Sequence, residues 1–175
     1  FTTVPDLLFV TKQTISFPIA LRTLCQAMMR IGYIGGNILQ YIVYYAPPRT
    51  PQIMTAFVTN LTTSLTPTMT GVRRRRNVIT YKTSLDGLSC SFKIMYADPR
   101  NGCFILVSFG LSCGRACRLL QTARTVHIGI PPECDRIYRH NCQVRNKKIF
   151  YPICMYRLPH IVQNGAELSR TAHNV

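Results

Sequence analysis

A chain of 175 residues is the length of one domain with room for one sizeable core. Apolar residues at 47% against 15% charged exclude a disordered chain, and the absence of heptads or a fixed repeat excludes coiled coils and solenoids. Twenty-one Lys and Arg against six Asp and Glu leave a formal charge of +15, which favours anionic partners without choosing among nucleic acid, acidic lipid, sulfated glycan and a carboxylate ligand.

The chain opens at Phe1 with no signal-peptide pattern, as a mature product would. The longest uncharged stretch, residues 31–48, contains Gly35, Gly36, Asn37 and Gln40; these suit a turn between strands, and no transmembrane segment is expected. "ILQYIVYY" then predicts a strand ending at Pro47-Pro48, and "IMTAFVTNLTTSL" a strand of alternating apolar and hydroxyl residues closing at Pro67. Within the latter, Asn60-Leu61-Thr62 is an N-glycosylation sequon, which fits a secreted protein. Arg73, Arg74, Arg75 and Arg76 form a loop run that could grip a glycan or an acidic surface, though a solvated hairpin loop is the simpler reading. Tyr81 and Phe57 are the nearest aromatics, so no base-stacking platform is evident and no nucleic-acid partner is expected.

"NVITYKTSL", ended by Asp86-Gly87, "SCSFKIMYA", ended by Asp98-Pro99, "CFILVSFG" and "ACRLLQTA" complete a meander of six to eight strands, an antiparallel barrel or sandwich. Phe92 and Tyr96 share one face of their strand; turned inward they line a pocket, and otherwise they are ordinary core. Asp98 either faces a ligand or caps a turn.

The segment from Ile130 to Cys142 has helix punctuation. Pro131-Pro132 form an entrance, Glu133 and Asp135 an acidic first turn, Arg139 and His140 a basic last turn, and Asn141 a stop. Cys134, Ile137, Tyr138 and Cys142 then fall on one face. "KKIFYPIC" predicts a final strand ending at Cys154. Residues 1–154 are expected to form one folded domain and residues 155–175 a polar, frayed tail.

The eight cysteines are Cys25, Cys90, Cys103, Cys113, Cys117, Cys134, Cys142 and Cys154. Seven lie between Cys90 and Cys154, which suggests bridging within that half and one long tie to Cys25, with connectivity left open. Cys113 and Cys117 have zinc-compatible spacing, and His127 could join them, but a second close pair is missing, so disulfides are preferred and no metal is expected. His127, His140, His160 and His173 are scattered, and neither a Gly-x-Ser-x-Gly elbow nor a His-Glu-x-x-His pair occurs. No enzyme activity and no cofactor are expected.

From Tyr81 to Cys154 the order "YKTSLDG", "FKIMYADPRNGCFIL", "ACRLL", "GIPPECDRIYRHNC" and "YPIC" resembles the tick salivary lipocalins of the histamine-binding family. "DLLFVTKQTISF" followed by Cys25 is similar to that family's first helix and strand. The resemblance implies an eight-stranded antiparallel up-and-down barrel with a short helix packed outside and a cavity for one small guest. It also implies a secreted protein that sequesters a host mediator, a lipid mediator or a biogenic amine such as histamine. Amine-binding members carry an acid directly after the strand cysteine and a Glu-Leu-aromatic run after a later one. This chain has Phe104 after Cys103 and Arg118-Leu119-Leu120 after Cys117. Arg118 repels an ammonium and suits a carboxylate-bearing lipid. Phe92, Tyr96, Asp98, Phe104 and Arg118 are therefore the expected ligand residues.

Overall fold

The structure, a computed structural model, describes residues 1–14, 24–46, 54–66, 75–85, 87–110, 113–142 and 146–156. Its strands are β1 (Leu8–Thr14), β2 (Leu24–Gly35), β3 (Ile38–Ala46), β4 (Thr55–Ser64), β5 (Val78–Lys82), β6 (Ser89–Asp98), β7 (Cys103–Phe109), β8 (Cys117–Thr122) and β9 (Asn146–Lys148), with helix α1 (Pro132–Asn141) between the last two. The turns at Pro47-Pro48, Pro67 and Asp86, together with Arg73, Arg74 and the tail beyond Tyr156, lie outside the described residues.

Strands β1 to β8 pair antiparallel in chain order, and the β1–β8 and β1–β2 pairings close an up-and-down barrel. Strand β1 serves three neighbours. Leu8 and Phe9 sit opposite Met28 and Ala27 of β2, whereas Lys12, Gln13 and Thr14 sit opposite Lys148, Lys147 and Asn146 of β9. The first half of β1 thus shuts the barrel, and its second half carries an appended strand.

Two elements depart from the sequence reading. Strand β2 was signalled only at its end, by the turn expected at Gly35-Gly36; the rest of "LCQAMMRIGYIG" is rich in residues at home in helices, and pairing with β3 from Leu24 to Gly35 overrides that preference. The final strand covers only Asn146–Lys148 rather than running to Cys154. Pro152 cannot donate to a ladder, and residues 153–156 close into a helical turn.

Side-chain alternation sorts the core into three groups. Leu8, Val10, Met28, Tyr41, Phe57, Tyr81, Phe92, Phe104, Leu106 and Leu120 point into the barrel. Outside it, Phe9, Ala27, Ile42 and Tyr44 are covered by Phe150 and Cys154 of the C-terminal segment. Ile105 and Leu119 are covered by α1 through Cys134 and Tyr138.

Disulfides fix both covers. Cys103–Cys134 and Cys117–Cys142 hold the two ends of α1 to β7 and β8, and Cys25–Cys154 ties β2 to the C-terminal turn. Cys90–Cys113 joins the start of β6 to the β7–β8 connection. The single long tie to Cys25 agrees with the reading of the cysteine spacing. Among the described residues, no helix is long and apolar enough to cross a membrane.

Candidate ligand-binding site

Arg118 is the second residue of β8 and lies directly opposite Gln13 of β1, so both side chains enter the barrel together. Arg118 is only 3% exposed. Its Nη1 donates to the Tyr81 hydroxyl at 3.3 Å, and its guanidinium lies 5.3 Å from the centre of the Phe92 ring. Tyr81 and Phe92 are themselves in ring contact at 5.2 Å. A buried cation is therefore supported by a neutral hydroxyl and a π-face, neither of which neutralises it.

The described carboxylates are committed elsewhere. Asp6 pairs with Arg124, Glu133 with Arg136, and Asp135 with Lys12 and Arg139. Asp98 accepts from the backbone and side-chain nitrogens of Asn101. Asp86 and Glu167 lie outside the described residues. Among the described residues four buried side-chain atoms have no hydrogen-bond partner: the Arg118 Nε, the Gln13 Oε1 and the Tyr41 hydroxyl on the inner side of the barrel, and the Tyr44 hydroxyl outside it. Each such group loses its water on burial, at about 1–3 kcal/mol, unless something replaces it. Burial pushes the Tyr41 phenol up to about 12; Arg30 pulls in the other direction and Tyr81 adds to the rise. Tyr41 therefore stays protonated and able to donate. Donors and an acceptor without partners, set in apolar walls, are suited to holding the polar end of a guest.

The expected ligand residues divide into two sets. Phe92, Phe104 and Arg118 are buried within the barrel group or against it. Phe104 lies toward the end plugged by the N-terminal segment, with Phe1 packed edge-on at 5.6 Å. Tyr96 lies outside. The β6–β7 register shifts between Ile94 and Tyr96, so Ile94 and Ala97 pair with inward Leu106 and Phe104, whereas Tyr96 pairs with outward Ile105. That bulge reverses the strict alternation that would carry Phe92 and Tyr96 to one side. Asp98 takes the turn-capping role, and its bonds from Asn101 hold the carboxyl below the usual range.

Sequence reasoning missed Gln13, Tyr41 and Tyr81. Tyr81 and Phe92 were legible as alternating strand residues. Gln13 was not, because β1 also carries a register shift, between Val10 and Lys12, that changes which of its residues face inward. The hollow at the plugged end, about 420 Å³, is lined by Arg30, Tyr33, Leu39, Arg76, Ile79 and Ile94 and by none of Phe92, Phe104 and Arg118, which are packed within the barrel instead of facing an open cavity as expected. Asn60 is exposed on β4, on the opposite side of the strand from buried Leu61.

A closed eight-stranded meander with one outer helix and a polar cluster inside is a lipocalin fold. The family model described as tick histamine binding protein matches residues 35–156, and the chain belongs to that family. Among solved structures, Japanin from Rhipicephalus appendiculatus, bound to cholesterol, is similar with a TM-score of 0.60 and 14% identity; the match covers 83% of this chain and 92% of Japanin. The siderocalin Ex-FABP, described as functioning through dual ligand specificities, gives a TM-score of 0.49 at 11% identity over 78% of this chain and 82% of its own. No curated protein matches the sequence.

Proposed function

We propose that this protein is a secreted, non-enzymatic carrier that sequesters a small host mediator in its barrel, and that the mediator is a lipid bearing a carboxylate rather than an amine. The observation that carries the reading is Arg118, buried inside the barrel with no carboxylate partner among the described residues and with its Nε unpaired. A guest carboxylate supplies the missing charge, and its apolar body enters by parting the side chains packed around the fully buried Phe92. An ammonium in the same place meets a like charge in a dry site, a difference of about 2–5 kcal/mol. The cholesterol in Japanin supports an apolar body as the bulk of the guest. Four disulfides suit an oxidising extracellular setting, and exposed Asn60 in its sequon suits a glycan acceptor.

The test is calorimetric titration with arachidonic acid and with histamine, at low and at high salt. The acid binds more tightly, Arg118→Glu erases or reverses the preference, and Arg118→Met weakens the acid without restoring the amine. Histamine as the tighter ligand of the unaltered protein overturns the reading.

A second reading rests on the charge of +15: a basic outer surface that captures a glycan, an acidic membrane or a host protein. Within the arginine run, Arg76 lies along the β2–β3 turn, with its Nη1 donating to Thr63 Oγ1 at 3.0 Å. The salt series separates the two readings. Surface capture of a polyanion fades steeply as ionic strength rises, whereas an enclosed guest is retained.

A further inference from the structure

We propose a second ligand site on the outer wall of the barrel, a groove between the two covers that takes a small amphipathic carboxylate. The hollow has a volume of about 460 Å³ and lies over β1 and β8. Val126 and Ile130 form one wall, and Phe150, Pro152 and Met155 of the C-terminal segment form the other. That size falls within the usual range of small-molecule sites.

Two donors on its floor already have partners. The Thr11 hydroxyl donates to the Leu119 carbonyl at 3.2 Å, and the Gln121 Nε2 donates to the Gly129 carbonyl at 2.7 Å. An alkyl chain laid across them strands neither group.

The charge at the rim selects the head group. Lys12 and Lys148 sit directly opposite each other in the β1–β9 pairing, and both residues line the groove. Like charges in that position repel. Asp135 reaches from α1 to Lys12 at 3.0 Å, but among the described residues no carboxylate pairs with Lys148, whose Nζ rests over the Tyr151 ring at 5.7 Å. His127 completes the rim, and no acidic side chain lines the groove. A guest carboxylate gives Lys148 the counter-charge that Asp135 already gives Lys12, and its alkyl chain lies against the apolar walls.

This site is independent of the barrel interior, and methionine methyl groups distinguish the two. Met155 lines the groove, whereas Met28 points into the barrel. The protein labelled with ¹³C at its methionine methyls is titrated with decanoate and with decyltrimethylammonium. The Met155 signal shifts saturably with decanoate and not with the cation. Lys148→Glu weakens the Met155 response about fivefold or more, in line with loss and reversal of one partly exposed charge pair, and leaves Met28 as it was. Ile130→Trp, which fills the groove, removes the response at Met155 alone. An unmoved Met155 signal, an equal response to the cation, or an unchanged response in Lys148→Glu overturns the proposal. Failure of the barrel reading shows separately, at Met28.

Discussion

On the proposed reading, Arg118 sets both ligand preference and stability from one inward position. Its guanidinium is desolvated by barrel closure and, among the described residues, compensated by the Tyr81 hydroxyl and the Phe92 ring. Arg118→Met keeps the shape and removes that penalty, so the empty variant should unfold at higher denaturant concentration, by about 1–3 kcal/mol, while losing affinity for the acid. A site held ready for an anion has this signature. Gly102 is the reverse case, a residue chosen for backbone geometry. It has φ +63°, and an added Cβ would stand 2.3 Å from Thr122 Oγ1 and 2.7 Å from Thr125 Oγ1. Gly102→Ala therefore combines an unfavourable left-handed conformation with a collision at the β6–β7 turn. We expect a loss of about 1–3 kcal/mol in urea unfolding, with ligand affinity unchanged.

At the scale of elements, α1 is held by charge as well as by sulfur. Burial alone would push the Asp135 carboxyl up, but hydrogen bonds from Lys12 and Arg139 outweigh it and hold the group below its ordinary value. A depressed folded value means that the unfolded chain binds the proton first. The contribution is thus complete above pH ~4 and is lost as pH falls below that value through the folded one. Asp135→Asn should lower stability at neutral pH by about 1 kcal/mol, partly by leaving Lys12 facing Lys148. It should also flatten the acid limb of a stability–pH profile recorded by circular dichroism; an unchanged limb would assign the acid dependence to other carboxylates. The helix itself was legible because its signals are local: prolines at the entrance, acids first, bases last. Strand β2 was legible only at its end, where the Gly35-Gly36 turn marks it. Its conformation follows from β3, which reaches it through the Gly35-Gly36 turn.

For the whole molecule, the decisive link is Cys25–Cys154, which spans 129 residues and holds the C-terminal cover to β2. The long loop constrains the unfolded chain more than the 23-residue separation of Cys90–Cys113 does. Replacing Cys25 and Cys154 together by Ser should cost about 2–5 kcal/mol, more than the matching change at Cys90 and Cys113, as read from thermal unfolding. Peptide mapping without reduction checks the pairing itself. Because Phe150 and Met155 line the outer groove, the same double variant should also weaken decanoate at Met155.

The sequence by itself determined a single strand-rich domain, the positions of most strands, the helix with a cysteine near each end, and a long cysteine tie. These features depend on alternation, on turn residues and on end charges, which act over a few neighbours. Only the tertiary structure decided which residues look inward. A one-residue bulge before Tyr96 turns that side chain outside, and a shift before Lys12 leaves Gln13 beside Arg118. The outer groove is likewise a product of closure, since Lys12 and Lys148 lie far apart in the chain and meet only when β9 pairs with the second half of β1. A bulge depends on the register of the neighbouring strand, and a cavity on elements distant in sequence, so neither leaves a mark in a local pattern.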